Sequence, residues 1–288
     1  MTMKVNVGGQ AVMEGIMMRS NSFAVTSVRT DKGIVHMEEK LRRVSWFWKL
    51  PFIRGITNLL DMLVVGMRSL IWSANQNDEE EEESLTNQHI FWLIATSFLF
   101  ATLIFVIAPF YLTKLMVPTP GIKFNIVDGL VRVLFFVLYV YTISFLEDVR
   151  ILYQYHGAEH KAVHCFEAGK KLTLANVKKY TTLHGRCGTA FIGIVLMVSI
   201  FVFSFIKADA WYYRLGARFI LIPFIASISY ELLKLGDRFK KNYLLKLMIL
   251  PGLWLQKITT REPNNKQILV AIDALKKVLN LEAKESTK

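Results

Sequence analysis

Cysteine is scarce in this chain, which has two in 288 residues, Cys165 and Cys187. Two cysteines cannot build the disulfide framework that holds a small secreted domain together. Residues 1–45 also lack the continuous apolar stretch of a secretory signal peptide, so we expect the N-terminal segment to be retained. These absences exclude a disulfide-rich secreted domain.

Charge is nearly absent from four long apolar runs, at residues 90–112, about 130–146, 189–206 and about 217–235. A helix needs roughly 20 apolar residues to span a bilayer. Buried core helices of a soluble protein are the alternative, but two of these runs are both long and wholly uncharged. The sequence therefore predicts a mainly α, multi-pass membrane protein with about four spanning helices.

Acidic residues are outnumbered, with 23 Asp and Glu against 35 Lys and Arg and a net charge of +12. The basic residues concentrate in 1–88, in 147–188 and in the tail from residue 234. Because cytoplasmic loops retain Lys and Arg, both termini and the 147–188 loop are predicted to be cytoplasmic, where thiols stay reduced. Since no basic motif with interleaved aromatic residues is present, we expect the lipid bilayer as a partner and no specific nucleic acid.

The N-terminal region predicts a small β element followed by a helix. Glycines punctuate residues 7–19 without the spacing of a phosphate-binding loop, so they are expected in tight turns or close packing. Residues 22–29 and 33–37 predict two short strands. From Ile53, apolar residues recur every three or four positions, which predicts an amphipathic helix on the membrane interface or against other cytoplasmic elements.

Two further segments accompany the apolar runs. The acidic block at residues 78–83 repels itself and predicts a solvated linker. Residues 267–281 predict an amphipathic helix that docks either on this chain or on a partner. The predicted divisions are a cytoplasmic N-terminal region of residues 1–75, an acidic linker 76–88, a first membrane hairpin 89–147, a cytoplasmic His/Cys loop 148–188, a second membrane hairpin 189–236 and a cytoplasmic tail 237–288.

Four of the six histidines lie between residues 156 and 184, close to both cysteines. A helix from about 156 to 167, ended by Gly169, would place His156 and His160 one turn apart, with Cβ atoms about 5–6 Å from each other. His164 lies a second turn along, rotated by roughly 80°. The run His156-x-x-Glu159-His160 matches a metalloprotease pattern in which two histidines hold zinc and the glutamate takes a proton from water.

A second pair, His184-x-x-Cys187, follows at close metal-ligand spacing. Together with His160 and His164 it could complete a closed tetrahedral zinc shell with a structural role. If a water molecule instead remained beside Glu159, the site could react. A hydrogen-bonded polar network without metal is the alternative, and Cys187 as a thiol nucleophile is a further one.

Several motifs resemble the YqhQ family, which comprises bacterial multi-pass membrane proteins of undefined function that are commonly labelled predicted metal-dependent enzymes. The motifs that carry the resemblance lie at residues 8–15 with 17–19, at 51–55, at 156–161, at 186–189 and at 259–263. The resemblance implies location in the bacterial cell membrane. It adds Lys161 and Arg186 as catalytic candidates and Glu14 and Arg19 as cofactor-binding candidates, so a single composite site at the cytoplasmic face is expected.

Two functions follow as hypotheses. The first is a metal-dependent membrane enzyme of hydrolytic type, in which His156 and His160 hold a divalent metal such as zinc and Glu159 is the general base. The third ligand would come from His164, His184, Cys187 or Glu14. The second is a non-enzymatic membrane factor whose cytoplasmic region binds another membrane complex, such as the protein translocation or insertion machinery.

Overall fold

The computed structural model describes residues 5–42, 45–77, 87–119, 121–206, 211–239 and 243–286. The acidic block at 78–83, predicted to be a linker, lies outside the described residues. Four strands are present: β1 Gly8–Val12, β2 Gly15–Arg19, β3 Phe23–Thr30 and β4 Gly33–Lys40. The helices are α1 Ile53–Asn77, α2 Asn87–Thr102, α3 Ala108–Met116, α4 Ile122–Ile143, α5 Glu147–Glu167, α6 Leu174–Val177, α7 Gly188–Ser204, α8 Trp211–Arg238, α9 Tyr243–Thr259 and α10 Asn265–Ser286.

The N-terminal sheet is an antiparallel meander with strand order β1-β2-β3-β4. The predicted hairpin is present as β3 and β4, which meet at Thr30 and Gly33, where the glycine has φ 123°. The structure adds β1 and β2, which the sequence did not predict. In β2, Ile16, Met17 and Met18 are all fully buried because helices cover both faces of the sheet.

Helices on the two faces give this region of the protein three layers. Met17 packs towards α1 on one face, whereas Ile16 and Met18 pack towards α5 and α10 on the other. Strand side chains alternate between faces, so one short strand supplies both cores. The sheet is therefore the element that joins α1 to α5.

Within the described residues, four helices are long and apolar enough to cross a membrane: Ile53–Gln76, Phe91–Met116, Ile122–Ile143 and Gly216–Gly236. This confirms the predicted class, a mainly α protein with four candidate spans and a small N-terminal β sheet. One of these four differs from the prediction. The run predicted at 189–206 forms helix α7, which has 17 residues and is shorter than the candidate spans, whereas α1 is long and apolar enough to be one. The second span also begins earlier than predicted, at Ile122.

Helix α1 differs from the other three candidates because polar contacts tie it to the sheet. Thr26 of β3 donates a hydrogen bond to Ser69 at 2.9 Å, and the Met13 backbone N–H donates to Ser73 at 3.1 Å. Lipid offers no such partners to a spanning helix. These contacts place α1 against the sheet, which is one of the two placements predicted for it.

A buried charged network lies between α4 and α8, inside the bundle of apolar helices that we call the membrane bundle. Asp128 of α4 pairs with Arg132 at 2.8 Å and with Arg218 of α8 at 3.0 Å. Arg132 also donates to the carbonyls of Phe105 and Val106 at 3.2 Å, in a short π-helical segment between α2 and α3. Charges buried among apolar helices are costly unless they are paired. Here one carboxylate, that of Asp128, pairs with two guanidinium groups.

The C-terminal helix α10 docks on this chain itself. Its apolar stripe, which includes Ile268, Leu275 and Val278, is buried against β2, β3 and α5. Near its end, Glu282 accepts hydrogen bonds from the Ser20 hydroxyl at 2.7 Å and from the Ser22 backbone N–H at 3.1 Å. The N-terminal sheet, the His/Cys loop and the tail therefore fold together as one unit.

Candidate metal centre

Helix α5 carries the first histidines of the predicted site. It begins at Glu147 rather than near His156, and the two acidic residues of its first turn, Glu147 and Asp148, favour the helix N-terminus. It ends at Glu167, and Gly169 follows with φ 66°, which is the left-handed conformation typical of a helix end. His156 and His160 therefore lie inside a long helix, on one face, with ring centroids 4.4 Å apart.

Each of these two histidines has one ring nitrogen fixed by a backbone carbonyl. His156 Nδ1 donates to the Thr259 carbonyl at 2.8 Å, and His160 Nδ1 donates to the Thr182 carbonyl. The other nitrogen, Nε2, then carries the lone pair. Metal-bound histidines typically hold their second ring nitrogen in this way.

The thiol of Cys187 completes a compact group with the two rings. Its Sγ lies 3.0 Å from His156 Nε2, and one ligand atom from each of His156, His160 and Cys187 lies within 4.8 Å of the others. Cys187 caps the N-terminus of α7, where its Sγ accepts from the Thr189 N–H at 3.3 Å. Two imidazole nitrogens and a sulfur are ligands that zinc prefers.

Burial shifts the pKa values of His160 and Cys187. The pKa of His160 is well below its ordinary value because burial and the neighbouring His156 both disfavour the imidazolium. Burial raises the pKa of the Cys187 thiol, although the N–H groups at the start of α7 oppose the shift. Among the described residues, the buried Nε2 of His160 has no hydrogen-bond partner. A neutral imidazole with an unsatisfied buried lone pair fits a metal ligand.

Glu159 lies beside the same group, on the side of the sheet. Its carboxylate is buried and accepts a hydrogen bond from the backbone N–H of Gly9 in β1. Burial raises the pKa of Glu159 to about 8, with His156 acting against the shift and Cys187 in favour of it. A carboxyl group with such a pKa can exchange a proton near neutral pH.

A second group, His164, Glu167 and His184, also brings its ligand atoms within 4.8 Å of one another. Its hydrogen bonds suit a metal less well. His184 Nδ1 accepts from the Arg186 N–H at 3.3 Å, which leaves the proton on Nε2, and this nitrogen faces Glu167 at 3.5 Å. Arg186 also pairs with Glu167, and His164 Nε2 donates to the Leu183 carbonyl at 2.8 Å. This group is held by the Arg186–Glu167 ion pair and by hydrogen bonds.

The closed shell of His160, His164, His184 and Cys187 is thus divided between two groups. The rings of His160 and His184 are 5.6 Å apart, so the two groups adjoin each other. Arg186, predicted to be catalytic, belongs to the second group through Glu167. Lys161, the other added candidate, is buried and pairs with Glu262.

The structure places the two N-terminal candidates at different ends of β2. Glu14 lies in the β1–β2 turn with φ 47° and accepts a hydrogen bond from the Tyr155 hydroxyl at 3.0 Å, so it contacts α5 one residue before His156. Arg19 pairs with Asp61 of α1. The sheet thus brings Glu14 to the helix of the candidate centre and Arg19 to α1.

Backbone groups of the site were not found by sequence reasoning. The carbonyls of Thr182 and Thr259 and the N–H of Gly9 hold the functional side chains, yet a backbone contact leaves no residue-type signature. Gln256 of α9 was also missed, although it binds both the N–H and the carbonyl of His184 at 2.8 Å. Thr259 lies in a family motif, which is a signal that could have pointed to it.

Comparison with known proteins places this site in a family context. A family model described as "Protein of unknown function (DUF1385)" matches residues 50–281. The chain belongs to this family. It is similar to "Uncharacterized protein YqhQ" of Bacillus subtilis (strain 168), with 32% identity over 295 residues that cover 96% of this chain and 93% of that protein. No solved structure matches the chain.

Proposed function

We propose that the chain is a metal-dependent enzyme of the cell membrane, with a zinc ion held by His156, His160 and Cys187. The observation that carries the proposal is the buried Nε2 of His160, which has no hydrogen-bond partner among the described residues while its Nδ1 is bound to a backbone carbonyl. Hydrogen bonding alone would leave this nitrogen unsatisfied, at a cost of about 1–3 kcal/mol. A metal ion would satisfy it.

The proposed reaction is hydrolysis. A zinc ion with three protein ligands and an open fourth position supplies Lewis-acid activation of water. Glu159 is the general base, because its carboxylate is buried beside His156 and Cys187 and is positioned by the Gly9 N–H. A bound dication would lower the pKa of Glu159 and so favour its proton-accepting form.

The proposed location of the centre is the cytoplasmic face of the bacterial membrane. The unit that contains the sheet, α5 and α10 is formed by the three segments in which the Lys and Arg residues concentrate. If the protein were a binding factor, its tail helix α10 could dock on another membrane complex. In the structure the apolar stripe of α10 is instead buried against this chain. Hydrolysis at the centre therefore has more support than the binding alternative.

Metal content of the purified full-length protein tests the ligand set. We expect about one zinc per chain in the wild type, and loss of it in His156→Ala and His160→Ala. His36→Ala is the matched control, since that histidine lies in β4 beside Ser27 and Asp273. His164→Ala should retain the metal because His164 is not one of the three proposed ligands and its Nε2 is bound to the Leu183 carbonyl.

The two cysteines offer a second, spectroscopic test. Loading with Co²⁺ should give a thiolate-to-cobalt charge-transfer band that disappears in Cys187→Ser and persists in Cys165→Ser. The serine hydroxyl can still cap α7 at position 187, so loss of the band would report the ligand rather than the fold. Wild-type protein without stoichiometric metal, or a band unchanged in Cys187→Ser, would refute the proposed centre.

Glu159→Gln separates chemistry from metal binding. The amide keeps the size of the side chain but cannot accept a proton, so metal content should persist while turnover of any hydrolysed substrate falls by about 10²–10⁴-fold. Simultaneous loss of metal and activity would instead assign Glu159 a structural role.

A further inference from the structure

A basic groove lies between the sheet, α1 and α8, and none of the proposed metal ligands is among its lining residues. Its volume is about 990 Å³, which is within the range of small-molecule sites. Four cationic side chains line it, namely Arg19, Arg42, Arg54 and Lys234, and none of the described lining residues is acidic. The groove therefore presents a concentrated positive charge to whatever enters it.

Two of these cations are held in place by carboxylates outside the lining. Arg19 pairs with Asp61, and Arg54 forms a two-point contact with Glu231 of α8. Arg42 and Lys234 are exposed to solvent. Glu282, also outside the lining, accepts hydrogen bonds from Ser20 and Ser22. With three carboxylates against four cations, these charged groups retain one excess positive charge. An anionic ligand is therefore the complementary one.

The rim of the groove is an exposed apolar surface. A short 3₁₀ helix, Trp46–Lys49, begins with three aromatic residues, Trp46, Phe47 and Trp48, which are 73%, 48% and 48% exposed. Trp48 itself lines the groove. Further along, Leu60 and Leu63 of α1 are 57% and 61% exposed. Tryptophan is enriched where a membrane protein meets the lipid headgroups, so the rim has the composition of a membrane interface.

We infer that this groove binds the phosphate headgroup of an acidic phospholipid, with its acyl chains on the apolar rim. Arginine pairs well with phosphate oxygens, and basic pockets beside spanning helices bind anionic headgroups. Asn58, which donates to the Tyr230 hydroxyl at 2.7 Å, adds polar groups to the wall. The inference is independent of the proposed metal chemistry.

A membrane lipid fits better than a soluble phosphate because cationic and apolar surfaces adjoin. Trp48 and Thr57 line both this groove and a neighbouring one that contains Leu60 and Val64. A soluble phosphate compound would leave those apolar side chains in water. An amphiphile covers both surfaces at once, and each buried methylene contributes to binding.

Binding to the full-length protein in a neutral detergent tests the inference. The probes are dioctanoyl phosphatidylglycerol, its zwitterionic counterpart dioctanoyl phosphatidylcholine, and glycerol 3-phosphate, each titrated while thermal unfolding is followed. We expect phosphatidylglycerol to bind at least about tenfold more tightly than phosphatidylcholine, because two cations at the headgroup each contribute about fivefold to binding of a net negative charge. We expect a similar preference over glycerol 3-phosphate, because that compound lacks the acyl chains that would cover the apolar rim.

The double variant Arg42→Gln/Lys234→Gln should lower the affinity for phosphatidylglycerol by about 25-fold. Lys266→Gln/Lys276→Gln removes the same charge from exposed positions on α10 and should bind as the wild type does. Equal affinity for the two lipids, or unchanged affinity in the groove variant, would overturn the inference. Glycerol 3-phosphate binding as tightly as phosphatidylglycerol would overturn the lipid assignment in favour of a soluble phosphate.

Discussion

Replacing Gly157 with alanine should disturb the candidate metal centre through the backbone rather than through a ligand. Gly157 lies on α5 between His156 and Glu159, and a Cβ built there would be 2.1 Å from the Arg261 carbonyl oxygen. Ordinary contact begins near 3.4 Å, so the two segments must separate by about 3.4 − 2.1 = 1.3 Å. The segment that moves includes Thr259, whose carbonyl holds His156.

The energetic cost follows from two opposing effects. Overpacking costs about 1–3 kcal/mol, and alanine regains up to about 1 kcal/mol of helix propensity. We therefore expect Gly157→Ala to lose about 1–2 kcal/mol of stability and most of its bound zinc. Gly216→Ala is the control, since a Cβ at this glycine of α8 meets nothing within 4 Å and alanine should be neutral or slightly stabilising.

Circular dichroism melting in detergent measures the stability of both variants, and elemental analysis measures their zinc. Wild-type zinc content and melting temperature in Gly157→Ala would contradict the close approach of α5 to the segment at Arg261. Equal loss in Gly216→Ala would show that the membrane bundle, rather than the centre, responds to the added methyl group.

Three further predictions concern buried charges, and the melting temperature in detergent measures each. Glu262→Gln should destabilise the protein more than Lys161→Met, because Lys161 is buried whereas Glu262 is exposed and water can solvate it once alone. Asp128→Asn should cost about 3 kcal/mol or more, since it leaves two arginines of the bundle without their shared carboxylate. Glu282→Ala should cost about 2–4 kcal/mol by releasing the β2–β3 turn, and equal stability of that variant would contradict the contact.

Periodicity predicted some elements well and failed where a strand is buried on both sides. The hairpin of β3 and β4 has a turn signal and strand-forming residues, and it was predicted. β2 has the continuous apolar run Ile16-Met17-Met18, which shows no alternation because α1 covers one face and α5 with α10 covers the other. Such a run cannot be assigned to a strand by its pattern alone.

The sequence predicted only part of the candidate centre. The spacing of His156 and His160 predicts their proximity within a helix, and the structure shows it. The pairing of His156 with Cys187 joins residues 31 positions apart and depends on how α7 meets α5. The contacts of Glu167 with His184 and Arg186 likewise arise from the tertiary fold.

The position of α10 in the sequence also determines when the N-terminal sheet can complete its packing during synthesis. Helix α10 begins at Asn265, after all the candidate spans, yet it covers a face of the sheet that ends at Lys40. Ribosomes add about 5–20 residues per second, so this face of the sheet stays uncovered for roughly 10–45 s after Lys40 is synthesised. We expect chains stalled before α10 to be cleaved by protease within the sheet, because the sheet face that packs on α10 is still exposed.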